Sequence, residues 1–257
     1  MKFLTCATLF FQLSITAIPV TSQATTLAVF HNPSDGVILA TDSAVGMVRG
    51  DEIKSGRAIP TSVKTECKME TCGRYFVAEA GFGGLISKSG KSAIATRCSQ
   101  LADRPANIQE FVTGYRRLVA DEITQYVSGL VRNKQEPAVN DVLLSTAIAG
   151  YEFGSPVLRY FDNIFTGIKG NQLTFRVARK DCPSGAECGD LQIVAGEKDA
   201  ILARQQYRNT ADKLLFAEEL LQIEIEANRK TRYVLPPVSI VQIKNVKPRW
   251  FRRGLCT

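Results

Sequence analysis

The sequence predicts an α+β domain with a layered core, and three observations carry that prediction. The chain of 257 residues is 45% hydrophobic and 22% charged, with 19 Gly and 10 Pro, which supports a full buried core and excludes a disordered, collagen-like or coiled-coil chain. Its hydrophobic patterns run in the order strands, two helices, strands, two helices, strand. No internal repeat or low-complexity linker divides them, so one domain is expected. The 32 Lys and Arg against 25 Asp and Glu give a net charge of +7, but the cations are spread along the chain. They read as solubility, and nucleic acid is not an expected partner.

The first 24 residues, MKFLTCATLFFQLSITAIPVTSQA, carry Lys2, an apolar run from Phe3 to about Ile18, and a polar end with small residues at Ser22 and Ala24. That is the pattern of a cleaved signal peptide with its cut after Ala24. The run is broken by Gln12, Ser14 and Thr16 and falls short of the ~20 residues of a bilayer span, so no stable membrane anchor is expected. The boundaries are then a signal peptide at 1–24 and one domain at 25–257, secreted or periplasmic. Seven cysteines become six when Cys6 leaves with the signal, and an even number suits an oxidising compartment. Cys67 with Cys72 and Cys182 with Cys188 can each close a tight hairpin, leaving Cys98 for Cys256, one of fifteen possible connectivities. No CxxC pair occurs and His31 is the sole histidine, a hairpin residue rather than a ligand, so no metal is expected.

Along the mature chain, Thr25 to Phe30 and Val37 to Asp42 are two short strands joined by His31-Asn32-Pro33-Ser34-Asp35-Gly36, which is dense in turn formers. Ser62 to Cys67 and Arg74 to Ala80 make a second strand pair. The Gly81-Phe82-Gly83-Gly84 run that follows lets the backbone pass close to another segment or present its amides. Small and apolar residues from about Gly84 to Ala102 fit a helix. From Asn107 to Arg132, Ile108, Phe111, Val112, Tyr115, Leu118, Val119, Ile123, Val127 and Leu130 recur at the spacing of a long amphipathic helix. Val142 to Tyr151 and Val157 to Phe161 are strands about a Gly154-Ser155-Pro156 turn, with further strands at Leu173 to Ala178 and Leu191 to Ala195. Asp199 to Tyr207 and Asp212 to Asn228 are helices, and Val238 to Ile243 closes as a strand. The tail Lys247-Pro248-Arg249-Trp250-Phe251-Arg252-Arg253 mixes cations with aromatics and reads as a segment docked by Cys256 with solvated arginines.

The chemistry starts at the expected cut. Cleavage after Ala24 puts a hydroxyl and a free α-amine on one residue, Thr25. An α-amino group has an ordinary pKa of about 7.7–8.0, so near neutral pH an appreciable fraction can take the hydroxyl proton, directly or through water. No histidine is required. The glycine-rich AGFGG lacks the Lys-Ser/Thr ending of a nucleotide loop.

TTLAVFHNPSDGVILATDS, with FVAEAGFGG further on, resembles the start of mature proteasome β-type subunits and their bacterial relatives in the N-terminal nucleophile hydrolase superfamily. The resemblance implies a four-layer αββα sandwich and a site in which the first-residue threonine is followed by an aspartate, a lysine and a glycine turn that helps form an oxyanion hole. By position these are Thr25, Asp42, Lys64 and Gly81. Two alternatives stay open. Thr26 as first residue restores the family interval to the aspartate, and Lys68 competes with Lys64 for the lysine. Lys64 is preferred because a Cys67–Cys72 hairpin would leave Lys68 in its solvated tip. An ungapped alignment of the Thr-Leu-Ala strand instead puts the nucleophile at Ala24. The late Asp and Ser of the family would fall near Lys230 to Tyr233, within NRKTRYVLPPVS, where neither residue type is present, and Gly196 and Glu197 stand where another serine is usual. The function implied is an exported hydrolase cleaving an amide bond in a peptide or a smaller amide, with no metal or organic cofactor. The alternative is a catalytically inactive scaffold or binding subunit, and a homo-oligomer is compatible with either.

Overall fold

The computed structural model describes residues 20–23, 26–48, 53–54, 57–58, 62–85, 92–101, 105–132, 134, 136–170, 172–182, 188–196, 198–203, 212–232 and 234–256. Most of the expected signal segment, and Thr25 with it, lies outside these residues. The strands are β1 Val20–Gln23, β2 Thr26–Asn32, β3 Gly36–Thr41, β4 Ala44–Val48, β5 Ile53–Lys54, β6 Arg57–Ala58, β7 Ser62–Thr65, β8 Met69–Cys72, β9 Tyr75–Leu85, β10 Val142–Glu152, β11 Ser155–Lys169, β12 Gln172–Cys182, β13 Leu191–Gly196, β14 Ser239–Ile243 and β15 Arg249–Arg252. The helices are α1 Ala93–Gln100, α2 Ile108–Arg132, α3 Asp199–Ala203 and α4 Lys213–Ala227. The fold is mixed α and β with two antiparallel sheets. One runs β12-β11-β10-β9-β1-β4-β7, with β8 also on β9; the other runs β13-β2-β3-β14-β15, and β5 and β6 form a separate ribbon.

Three apolar cores explain why these segments fold as they do. Leu27, Val29, Val37 and Leu39 of the β2–β3 hairpin face Phe76, Ala78, Ala80, Ala147 and Leu158 of the larger sheet. The opposite hairpin face, Ala28, Phe30, Ile38 and Ala40, packs on Phe216, Ala217, Leu220 and Leu221 of α4 and Ile201 of α3. With both faces covered, the two strands read as continuous apolar runs rather than as an alternation. The third core lies between the larger sheet and the two longer-range helices of the middle of the chain: the expected stripe of α2, from Ile108 through Val127, meets Tyr75, Val77, Leu144, Ile148 and Phe161. Each fully buried side chain of this size contributes about 1.5–3 kcal/mol.

A buried polar cluster fixes α1 and α2 on the sheet. Arg97 of α1 donates through Nη1 to Glu79 of β9 at 2.7 and 2.6 Å, and through Nε and Nη2 to Glu122 of α2 at 3.0 and 2.9 Å. Tyr115 donates its hydroxyl to Glu79 at 2.9 Å. The side chains of Arg97 and Glu79 are both wholly shielded from solvent.

Several expectations are corrected. The helix expected from Gly84 begins only at Ala93, capped by Ser92, whose Oγ accepts from the Ala95 N–H at 3.0 Å. Gly81 to Leu85 instead extend β9, because they pair with β1. The strand expected over Ser62 to Cys67 breaks after Thr65, and the basic tail is a sheet-edge strand, β15. Of the cysteine pairings, Cys182–Cys188 stands as expected, at a Cα separation of 5.4 Å. The other four pair as Cys67–Cys256 and Cys72–Cys98, with Cα separations of 4.9 and 5.4 Å. A Cys67–Cys72 bridge is excluded because Cys72 belongs to β8, which lies beside α1, while Cys67 faces the C-terminal turn. His31 lies on β2 and donates Nδ1–H to the Cys188 carbonyl at 2.8 Å.

Candidate active site

Asp42 is the centre of the best-formed polar site. β2 and β3 pair with Leu27 opposite Thr41, so the first residue of β2 and the residue just after β3 come side by side. The hairpin length is set by its turn, where Asn32 Oδ1 accepts from the Asp35 N–H and from the Ser34 hydroxyl. The Asp42 carboxylate accepts the Thr26 N–H at 3.1 Å and the Lys68 ammonium at 3.2 Å on Oδ1, and the N–H groups of Ala44 at 2.8 Å and Leu235 at 3.1 Å on Oδ2. A buried carboxylate is tolerated only with such partners. The chain around it is latched as well: Ser43 donates its N–H and its hydroxyl to the Leu235 carbonyl at 3.0 and 3.2 Å, and Glu66 donates its N–H to the Ser43 carbonyl at 2.8 Å.

The lysine on Asp42 is therefore Lys68, and the preference for Lys64 is corrected: Lys64 stands on β7 opposite Val45 of β4. Lys68 sits in the short link between β7 and β8, and neither its side chain nor that of Asp42 is exposed. Burial pushes the Lys68 ammonium down to about 8, against the pull of Asp42 and Glu66. Burial also raises the Asp42 carboxyl, opposed by Lys68 and by the N–H groups of Ala44 and Leu235. Between pH 8 and the ordinary lysine value of 10.5, the unfolded chain holds a proton on Lys68 that the folded chain has released. This group therefore makes the fold more stable as pH rises through that window, by at most about 1.4 kcal/mol per pH unit. Urea unfolding of wild type and Lys68→Met at several pH values should show the gap in stability shifting toward wild type between those limits; a gap independent of pH would contradict a depressed lysine.

Gly81 lies in β9 between Gln23 of β1 and Leu144 of β10. Its φ is +106°, and a Cβ there would fall 2.5 Å from the Leu143 carbonyl oxygen, so only glycine fits. The kink turns Phe82 to the helix side, where it stacks on Tyr126 at 4.3 Å between ring centroids. Gly81→Ala should cost roughly 2–4 kcal/mol in thermal unfolding; a neutral result would show that the strand can relax.

Of the residues expected from sequence, Thr26, Asp42 and Lys68 meet at one carboxylate, Gly81 lines the strand beside them, Lys64 is placed elsewhere, and Thr25 falls outside the described residues. Sequence reading missed Ser43 and Leu235. The latter acts through its backbone, so no side-chain signal marks it. The segment missing the expected Asp and Ser still reaches the site, through that N–H. Strand β1 was missed too: Val20 to Gln23 pair with β4 on one side and β9 on the other. Among the described residues no group of three or more His, Cys, Asp or Glu is placed to hold a metal ion, and no helix is long and apolar enough to cross a membrane.

No protein-family model matches the chain, and no curated protein matches it. Solved structures that align include Anbu from Hyphomicrobium sp. strain MC1, at 13% identity over 88% of this chain and 85% of that one, with a TM-score of 0.44. Its Gly-1 mutant aligns at 13% identity over 89% and 85%, with a TM-score of 0.44. Anbu (ancestral beta-subunit) from Yersinia bercovieri aligns at 16% identity over 87% and 86%, with a TM-score of 0.48. These findings correct the resemblance drawn from the N-terminal residues. No family model carries it and the aligned structures are Anbu proteins at 13–16% identity, so the chain is not assigned to the proteasome β-type subunits.

Proposed function

We propose that this chain binds an extended peptide between β4 and β9 and becomes an amide hydrolase once the chain is cut before Thr26. One observation carries the reading: the segment just ahead of Thr26, strand β1, already occupies the position between β4 and β9 as an extended strand, and it leads directly to the Asp42 and Lys68 pair. Two strands separated by one strand's width accept a peptide through main-chain hydrogen bonds on both sides, which favours a peptide over a small amide. In the uncut chain the Thr26 nitrogen is a peptide N–H and cannot serve as a base. After the cut it is an amine held against Asp42. The Thr26 hydroxyl then attacks the substrate carbonyl and its proton passes to that amine or to Lys68. The C–N bond breaks as the leaving amine takes the proton, and water hydrolyses the resulting ester to free Thr26. Backbone N–H groups beside Gly81 would stabilise the oxyanion.

The rest of the proposal follows from the same features. The three cores support reading the fold as a four-layer αββα sandwich formed by one domain, 25–257. The three cysteine pairs, each at disulfide distance, hint at an oxidising compartment, which fits export with signal removal as the activating step. Removal after Ala24 leaves Thr25 in front, so one further residue must be trimmed. A second reading, a silent scaffold or binding subunit, is favoured by the same β1 strand: the groove is filled by the chain itself and Thr26 is fully buried. Self-association is open to measurement by light scattering under either reading. Intact-mass and N-terminal analysis of exported protein, followed by assay on a panel of peptide amides, separates the two. A chain starting at Thr26 that turns over peptides supports the hydrolase. A chain starting there that binds peptides without cleaving them leaves the silent subunit.

A further inference from the structure

We infer that the Cys67–Cys256 disulfide is a positioning clamp for the site, holding Lys68 on Asp42 from the far end of the chain. Lys68 follows Cys67 directly and sits in the link between β7 and β8, outside both strands. Cys67 is bonded to Cys256 across a separation of 189 residues, and Cys256 is buried in the turn that ends the described chain. That turn is itself anchored. The Cys256 N–H donates to the Arg253 carbonyl at 2.9 Å, and the Ser239 hydroxyl donates to the same carbonyl at 3.0 Å. Gly254 has φ +56°, and a Cβ there would lie 2.5 Å from Ser239 Oγ and 2.7 Å from the Val238 carbonyl oxygen, so the turn fits closely only as glycine. Val238 follows Leu235 by three residues, and the Leu235 N–H is one of the two donors, with that of Ala44, on the other oxygen of Asp42. The C-terminal turn thus braces both arms of the site, the Lys68 link through a covalent bond and the Leu235 segment through packing. The other two cysteine pairs lie elsewhere: Cys72–Cys98 joins β8 to α1, and Cys182–Cys188 closes a local loop.

The inference rests on the proposed function only for its effect on turnover. Its test compares Cys67→Ser/Cys256→Ser with Cys182→Ser/Cys188→Ser, which removes a disulfide remote from Lys68. Carbon-13 lysine NMR, with the Lys68 signal assigned by its loss in Lys68→Met, reads the lysine directly. The titratable groups that face it are Asp42 and Glu66. The parent and the remote variant should titrate near 8, and the clamp variant should move toward 10.5 as the lysine swings into solvent. Gly254→Ala, which keeps both cysteines but displaces the turn, should move the same way and decides the matter if the double variant does not fold. Turnover at pH 8 should fall about a hundred-fold with the clamp gone. A folded clamp variant or Gly254→Ala chain whose Lys68 titrates as in the parent overturns the inference. If Thr26→Ala keeps full turnover, the hydrolase reading fails while the titration still tests the clamp.

Discussion

In the chain that begins at Thr26, Thr26→Ala should abolish hydrolysis of a peptide amide, a loss on the order of ten-thousand-fold or more, and leave the fold standing. The hydroxyl is the group that forms the ester, and the hydroxyl of Ser43, next to Asp42, is turned to the Leu235 carbonyl. The structural cost is small by comparison. Thr26 is fully buried, so truncation loses a methyl and a hydroxyl, about 1–2 kcal/mol, and the N–H to Asp42 is retained. Far-ultraviolet circular dichroism should therefore be unchanged while turnover is gone. Thr25→Ala made in the precursor should leave turnover unchanged, because residue 25 is gone once the chain is trimmed to Thr26. The reverse pattern, loss with Thr25→Ala and none with Thr26→Ala, would return the nucleophile to Thr25 and detach it from Asp42.

The largest stability effect should come from the opposite side of the larger sheet. Arg97→Met removes the only cation bonded to Glu79 among the described residues and leaves that carboxylate, wholly shielded, with the hydroxyls of Tyr115 and Thr146 at 2.9 and 3.4 Å. Burial already pushes Glu79 upward, and Arg97 is the largest of the groups pulling it back. Breaking one side of a buried pair costs about 3–5 kcal/mol, which in a domain of this size lowers Tm by roughly 10 °C. Glu79→Leu added to Arg97→Met should recover most of the loss, because the carboxylate that then lacks Arg97 is Glu122, whose side chain is 20% exposed rather than wholly buried. A single variant as stable as wild type in calorimetry would show that water or another cation reaches Glu79.

How much of this was legible beforehand depended on whether a residue acts through its side-chain pattern or through its backbone. The β2–β3 hairpin, the stripe of α2 and the helix Lys213–Ala227 follow from apolar spacing, and most of the expected residues lie in the cores, whereas Leu118 and Leu130 stand outside the α2 cluster and Leu215 is exposed. Asp42 was named by position from the resemblance of the N-terminal residues, since a lone aspartate after an apolar strand reads equally well as a turn residue. Lys68 was placed behind Lys64 for one physical reason: a Cys67–Cys72 hairpin was assumed, which would have put Lys68 in solvent. The bond from Cys67 to Cys256 draws it inward instead. Connectivity between distant cysteines has no local signature. Leu235 and strand β1 were invisible for a related reason, since they contribute main-chain groups that any residue carries.

The donors gathered on Asp42 come from positions 26, 44, 68 and 235, with sequence separations of up to 193 residues. Contacts of that range form late, since each waits for long loops to close. The site is consequently the last part of the molecule to assemble, and a chain still emerging or still reduced has none. Chemistry that completes only with the fold gives a built-in delay: no half-made copy can attack its neighbours, and the burial of Lys68 against Asp42 marks the moment at which folding has finished.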